Sequence, residues 1–220
     1  MPTYDLSHSL ESGMPVYPGD PPVEIEPAAT VEEDGYRTTS LDVDTHAGTH
    51  VDAPAHLLAD GRTLDEYPLE TFRFAARLVD LRPLAAREPI DADALYSAVD
   101  ADAALEADLL AVCTGWAAHW GTDRYFEHPF LTDGAADLLV EWNCHLGIDA
   151  PNVDPTPTAT ARDGEPDGYP AHRVLFADGR LIVENLRALE SVPCEFDVHA
   201  YPLSVRNADG SPVRAVAVVE

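Results

Sequence analysis

The chain has 220 residues, of which 45% are hydrophobic and 24% charged, so we expect one globular domain over 1–220 and no collagen-like or disordered composition. Forty acidic residues face 13 arginines and no lysine, for a formal net charge of −27, which excludes a basic patch for nucleic acid and resembles proteins of halophilic organisms. With no apolar run of membrane-spanning length and no signal peptide, we expect a cytoplasmic protein without a membrane partner.

The first third of the chain predicts mainly short strands. A strand at 4–7 precedes the turn-rich segment Tyr17-Pro-Gly-Asp-Pro-Pro22. Further strands are predicted at 23–25, 36–44 and 77–81, the second of them from alternating apolar and polar residues.

Helices and strands alternate in the middle of the chain. Helices are predicted over 91–107 and 132–142, with Asp91 and Thr132 as N-caps. A buried strand at 108–113 lies between them, and a strand at 145–149 leads into a long loop at 150–168. Strands are predicted again at 173–176, 181–183, 194–198 and 213–219. This pattern predicts a mixed α/β fold.

The three cysteines, Cys113, Cys144 and Cys194, are widely spaced and form no Cys-x-x-Cys pair. This spacing disfavours a thiolate zinc site and a disulfide framework, and predicts buried free thiols. Any metal must then be held by imidazole and carboxylate groups.

The segment from 46 to 56 concentrates metal-binding side chains. His46, His50, Asp52 and His56 all occupy even positions, and an extended chain would point all four to one side. A helix would carry Asp52 about 240° around from His46, and Pro54 also disfavours a helix. Gly48 leaves room for a ligand or a second segment to approach.

Two imidazoles and a carboxylate facing one space suit zinc or a similar divalent ion. The alternative is a half-buried strand whose histidines only form hydrogen bonds. A serine or cysteine hydrolase is disfavoured, because the chain has no Gly-x-Ser-x-Gly motif.

The pattern His46-x-Gly-Thr-His50-x-Asp52-x-Pro54-x-His56 resembles the signature of the metal-dependent cyclase-type hydrolases, the family of bacterial kynurenine formamidase. The resemblance continues through Asp5-x-Ser7, Tyr17-Pro-Gly-Asp20, Gly147-Ile-Asp149, Glu184-Asn-Leu186 and Gly210-Ser-Pro-Val213. It implies a compact α/β domain with a mixed sheet, in the swivelling β/β/α class. It also implies a homodimer or a larger homo-oligomer.

The resemblance further implies a centre of two divalent ions, zinc or alternatively manganese. His46, His50 and Asp52 would hold the first ion, and Asp52 would bridge to a second. The ligands of the second ion would be His172 and Glu184. His56 would be the general acid/base, and Asp5 and Ser7 would support the site from outside.

By the same resemblance, the expected reaction is hydrolysis of N-formyl-kynurenine, a small aromatic amide, to kynurenine and formate. Tyr17 is the candidate substrate contact, although kynurenine formamidases tend to carry tryptophan there. Asn152 stands where relatives often have a small hydroxyl residue. The aromatic cluster between Trp116 and Phe130 is expected to pack helices or to wall the pocket.

Two alternatives stay open. One is a hydrolase of cyclic amides, such as isatin hydrolase, with the same fold. The other is a non-catalytic module that binds metal or ligand. Retention of His56, His172 and Glu184 favours an enzyme over such a module.

Overall fold

The computed structural model describes residues 1–99 and 104–219. Its strands are β1 (Thr3–Asp5), β2 (Glu24–Ala29), β3 (Thr38–Asp42), β4 (His50–Asp52), β5 (Arg73–Asp80), β6 (Pro89–Ile90), β7 (Leu109–Cys113), β8 (Phe130–Leu131), β9 (His145–Ile148), β10 (Ile182–Glu184), β11 (Glu195–His199), β12 (Gly210–Pro212) and β13 (Val216–Val218). Its helices are α1 (Val31–Asp34), α2 (Ala92–Ala98), α3 (Asp133–Glu141) and α4 (Pro170–Ala177).

Within the described residues, nine strands form one mixed sheet in the order β1-β13-β11-β5-β7-β9-β10-β4-β12. Strands β5, β7, β9 and β10 run parallel to one another, and the remaining pairs on both sides of them are antiparallel. Central β7 is buried along its whole length, as expected for a parallel strand covered on both faces. The predicted mixed α/β fold is confirmed.

The predicted helix caps are present. The Asp91 side chain accepts a hydrogen bond from the backbone N–H of Ala94, and Thr132 accepts one from Ala135. The helix after Asp91 is α2, which ends at Ala98. The predicted helix ran to 107. Residues 100–103 of that prediction lie outside the described part of the chain. Helices α3 and α4 pack side by side against the sheet.

The predicted strand at 173–176 is wrong, because these residues belong to α4. A short apolar run does not distinguish a strand from a buried helix segment. Pro170 suits the first turn of a helix, and the carboxylate of Asp154 accepts the N–H groups of Ala171 and His172. The capping group is therefore remote in sequence, and the local pattern did not include it.

Two of the three cysteines are buried, and the helices are short. Cys113 and Cys144 are buried free thiols as predicted, but Cys194 is exposed beside the start of β11. Over residues 1–99 and 104–219, no helix combines the length and apolar character needed to traverse a bilayer.

Candidate functional site

The segment from 46 to 56 is not the single extended strand that we predicted. It makes a turn at Gly48, enters β4, and ends in a 3-10 turn over Pro54–His56. Gly48 has φ +65, and a Cβ atom there would lie 2.8 Å from Cδ2 of Leu10. Glycine is required both by this left-handed conformation and by the approach of the second segment. Curvature of the chain, rather than strand alternation alone, brings the side chains together.

The first cluster surrounds one oxygen of Asp52. Oδ1 of Asp52 lies 2.7 Å from Nδ1 of His46 and 3.2 Å from Nε2 of His50. His50 and Asp52 are two apart on β4 and point to the same face, so alternation does explain this pair. The three groups can offer one ligand atom each to a common ion.

The second cluster lies at the other oxygen of Asp52. Nε2 of His172, on α4, lies 3.8 Å from Asp52 Oδ2 and 3.5 Å from Glu184 Oε1. Glu184 is the register partner of His50 across the antiparallel β10–β4 pair. The fold therefore joins Asp52, His172 and Glu184 into a second buried group of potential ligands.

One separation between donor atoms in each cluster matches that expected around a divalent ion. Bonds of about 2.0–2.2 Å to nitrogen and oxygen place neighbouring ligand atoms about 3.0–3.6 Å apart. The separations of 3.2 Å between His50 and Asp52 and 3.5 Å between His172 and Glu184 fall in this interval. The 2.7 Å between His46 and Asp52 is shorter, and the 3.8 Å between His172 and Asp52 is longer. The donors are imidazole and carboxylate with no thiolate, which suits zinc or manganese.

The buried carboxylates raise the pKa values of the imidazoles beside them. Burial alone would lower the pKa of His46, but the charge of Asp52 and hydrogen bonds with Asp209 and Asp52 raise it to about 11. Burial would also lower the pKa of His172, yet its bonds with Asp154 and Asp52 raise it to about 10. The site therefore favours positive charge.

His56 lies at the edge of the first cluster. The centroid of its ring is 4.0 Å from that of His46, and its side chain is 29% exposed. Burial and the charge of His46 lower its pKa, although Asp52 opposes this shift. A partly exposed imidazole that stays neutral can accept a proton, which distinguishes His56 from its buried neighbours.

The prediction missed Asp209, which contacts two histidines of the site. Its Oδ2 lies 3.1 Å from Nε2 of His46 and 3.5 Å from Nδ1 of His56. The next residue, Gly210, must lack a side chain, because a Cβ there would lie 2.6 Å from Cε1 of His46. The available signal was the position of Asp209 directly before the motif Gly210-Ser-Pro-Val213.

A cavity of about 530 Å³ opens over both clusters. The five predicted ligands and His56 line it, as does Tyr17, whose hydroxyl lies 3.4 Å from that of Tyr169. Phe126 and Asn152 also contribute to its wall. The size and the aromatic wall suit a small aromatic ligand.

Comparison with known proteins identifies the family. The family model described as "Putative cyclase" matches residues 4–155, which include the histidine segment. The chain belongs to this cyclase family. The kynurenine formamidase of Salinibacter ruber is 31% identical, over 98% of this chain and 97% of the relative. That of Geobacillus thermodenitrificans is also 31% identical, over 97% and 96%.

Solved structures share the cyclase fold. An isatin hydrolase bound to the product analogue thioisatinate has a TM-score of 0.84 at 21% identity, covering 99% of this chain and 92% of its own. A potential metal-dependent hydrolase with cyclase activity has a TM-score of 0.76 at 27% identity, covering 98% and 96%. The predicted family, fold class and enzyme class, an amide hydrolase, are confirmed.

The aromatic cluster of this cyclase-family chain divides between the core and the cavity. Tyr125 and Phe126 line the cavity, whereas Trp116 is buried and donates its indole N–H to the backbone oxygen of Tyr125. The Tyr125 hydroxyl donates to Oδ1 of Asn185, whose amide nitrogen donates to the Gly48 carbonyl. The cluster therefore both packs the fold and braces the turn at Gly48.

Asp5 and Ser7 lie apart from the cavity wall. Asp5 forms ion pairs with Arg214 and Arg187, at 2.8 Å and 3.2 Å. The Ser7 hydroxyl bonds the backbone of Val213 and Ala215. Both residues also contact the segment that follows Glu184, Asp5 and Ser7 through Arg187 and Ser7 through a bridge to Leu186, and their support of the site from outside stays a prediction.

Proposed function

We propose that this cyclase-family protein is a metal-dependent amide hydrolase that converts N-formyl-kynurenine and water to kynurenine and formate. The observation that carries the proposal is the position of Asp52, whose two oxygens face two separate groups of ligands beneath an aromatic-walled cavity. The 31% identity to proteins named kynurenine formamidase supports this choice of substrate.

The residues of the two clusters would hold two ions, zinc in the first instance and manganese as the alternative. His46, His50 and Asp52 would bind one, and Asp52, His172 and Glu184 the other. When bound, such ions lower the pKa of water to about 7 and polarise a carbonyl oxygen. His50, Asp52, His172 and Glu184 are buried, so the packing around them would keep their ligand atoms in place.

His56 would move the proton. Its Nδ1 faces Asp209, which leaves Nε2 to exchange protons with the substrate and the attacking water. Oxygen from water adds to the formyl carbon, the C–N bond breaks, and the leaving aryl nitrogen gains a proton. His56 takes a proton from the water and returns it to that nitrogen, and its lowered pKa keeps it a base near neutral pH.

Tyr17 would contact the aromatic ring of the substrate. Its side chain lines the cavity and meets Tyr169, so the pair forms one wall. A tyrosine offers a smaller stacking face than the tryptophan expected in kynurenine formamidases, and adds a hydroxyl. This difference bears on substrate preference more than on the hydrolytic reaction.

The experiment combines metal analysis with a substrate panel. Protein purified without added metal should contain two divalent ions per chain, and should hydrolyse N-formyl-kynurenine faster than isatin or a simple aryl formamide. Preferential opening of isatin would instead favour a cyclic-amide hydrolase. If the protein binds metal and the compounds of the panel but hydrolyses none of them, a non-catalytic module would be favoured.

A further inference from the structure

The three histidines proposed as ligands are each bonded on the ring nitrogen that faces away from the cluster. His50 Nδ1 lies 2.8 Å from the Gly48 carbonyl oxygen, and His46 Nε2 lies 3.1 Å from Asp209. His172 Nδ1 lies 2.7 Å from Asp154 Oδ2. In metalloproteins, a bond at the outer nitrogen sets the ring orientation and decides which nitrogen keeps the proton.

The Asp154 contact is the most constrained of the three. Its side chain is fully buried, and Oδ1 accepts the backbone N–H of Ala171 at 2.8 Å. Oδ2 accepts both the backbone N–H of His172 at 3.0 Å and its ring Nδ1–H at 2.7 Å. The backbone N–H of Asp154 donates to Asn152 Oδ1 at 2.7 Å, which fixes the backbone at Asp154.

These contacts determine the proton position on His172. An ionised carboxylate only accepts hydrogen bonds, so Nδ1 keeps its hydrogen, and Nε2 is the nitrogen that would lose its proton and offer a lone pair when an ion binds. Nε2 is the atom that faces Glu184 and Asp52. The same carboxylate anchors the first turn of α4, so the backbone and the ring of His172 are positioned together.

We propose that Asp154 is a positioning residue that sets the affinity of the second ion by orienting His172. This inference rests on the proposed two-ion function, and concerns a residue that is not itself a ligand. Because the first cluster has separate outer partners in Gly48 and Asp209, the effect of Asp154 is specific to the second ion.

The test is Asp154→Asn, with metal affinity and stoichiometry as the readouts. The amide would place an NH2 group against either Nδ1–H or a backbone N–H, so the His172 ring loses its acceptor or changes its protonated nitrogen. We expect the second ion to bind about 10- to 100-fold more weakly in competition with a chelator, while the first keeps its affinity. The retained ion should match the one retained by Glu184→Gln.

A matched control is Thr132→Ala, which removes the side-chain cap of another helix away from the cavity. It should keep both ions with unchanged affinity, which separates loss of a helix cap from loss of the His172 contact. An Asp154→Asn protein that binds both ions as tightly as wild type overturns the inference and leaves the proposed function intact. A wild-type chain that binds fewer than two ions overturns the two-ion centre itself.

A measurement on the wild type keeps the inference testable if Asp154→Asn does not fold. In zinc-loaded protein with 15N-labelled histidine, the His172 ring should carry its proton on Nδ1. Its proton should also exchange slowly, because Asp154 is buried. A proton on Nε2 would overturn the assignment.

Discussion

The carboxylate of Asp209 lies against His56, with Oδ2 3.5 Å from Nδ1 of the ring. The same oxygen lies 3.1 Å from Nε2 of His46. One carboxylate at the cavity wall therefore supports both the proposed proton carrier and a proposed ligand of the first ion. This shared contact couples the orientation of His56 to that of the metal cluster.

Substitution of His56 by alanine should slow the reaction without removing the ions. General acid/base catalysis contributes about 10²- to 10⁴-fold, and we expect kcat for N-formyl-kynurenine to fall by that amount. Metal content, measured on the same sample, should stay at the wild-type value. A metal-replete His56→Ala protein with full activity would refute the role assigned to His56.

Replacing Asp209 by asparagine should lower kcat by about tenfold or more, because loss of a charged outer partner weakens the orientation of the rings that it contacts. Asp20→Asn is a suitable control, since Asp20 also lines the cavity and the change removes the same charge. Steady-state kinetics of both variants separate the two effects. Equal losses of kcat would show that the overall charge of the cavity matters rather than contact with His46 and His56.

Tyr17 should affect binding more than chemistry. An aromatic pair contributes about 0.5–1.5 kcal/mol, so Tyr17→Ala should raise KM for an aromatic formamide by up to about tenfold with a smaller change in kcat. Tyr17→Phe keeps the ring and removes only the hydroxyl contact with Tyr169. If KM rises as much in Tyr17→Phe as in Tyr17→Ala, the hydroxyl and not the ring is the important group.

His128 should make the fold sensitive to acid. Burial lowers its pKa to about 4, despite the opposing hydrogen bond with the Pro129 carbonyl. The unfolded chain binds this proton near pH 6.5. The contribution of His128 to the free energy of unfolding is therefore fully present above pH 6.5. It is lost as the pH falls toward 4, by at most about 1.4 kcal/mol per pH unit.

Urea unfolding at pH 7 and pH 5 tests this sensitivity. His128→Gln should show a smaller loss of unfolding free energy between the two values than wild type, even if it is less stable at pH 7. Thr156→Val breaks the bond between Thr156 Oγ1 and Nε2 of His128 but keeps the titrating ring. Between pH 7 and pH 5, Thr156→Val should lose about as much unfolding free energy as wild type. If His128→Gln also loses as much as wild type, His128 is not the cause of the acid sensitivity.

Local patterns predicted the parts of the structure that depend on local contacts. The helix caps Asp91 and Thr132 act within their own first turns, and His50 and Asp52 share a face because they are two apart on β4. The turn at Gly48 was not predicted, since it depends on packing against Leu10. Alternation was therefore a sound guide for only part of the histidine segment.

The outer residues of the site were not predicted from the sequence. Asp154 and Asp209 are two of 40 acidic residues, and the one signal in the sequence is the position of Asp209 directly before the motif Gly210-Ser-Pro-Val213. Their positions become informative only after the fold brings them to His172 and His46. For the same reason, His172 and Glu184 were indicated by family resemblance and not by their surroundings in the chain.

The position of β4 between β10 and β12 has a consequence for synthesis of the chain. The histidine segment leaves the ribosome long before Glu184, and its neighbouring strand on the other side comes later still. Until then β4 exposes unpaired backbone groups on both sides, which is the kind of edge that promotes aggregation. A C-terminal truncation before Gly210 would make that exposure permanent on one side. Fusion partners and deletions at this end of the chain should therefore leave β12 intact.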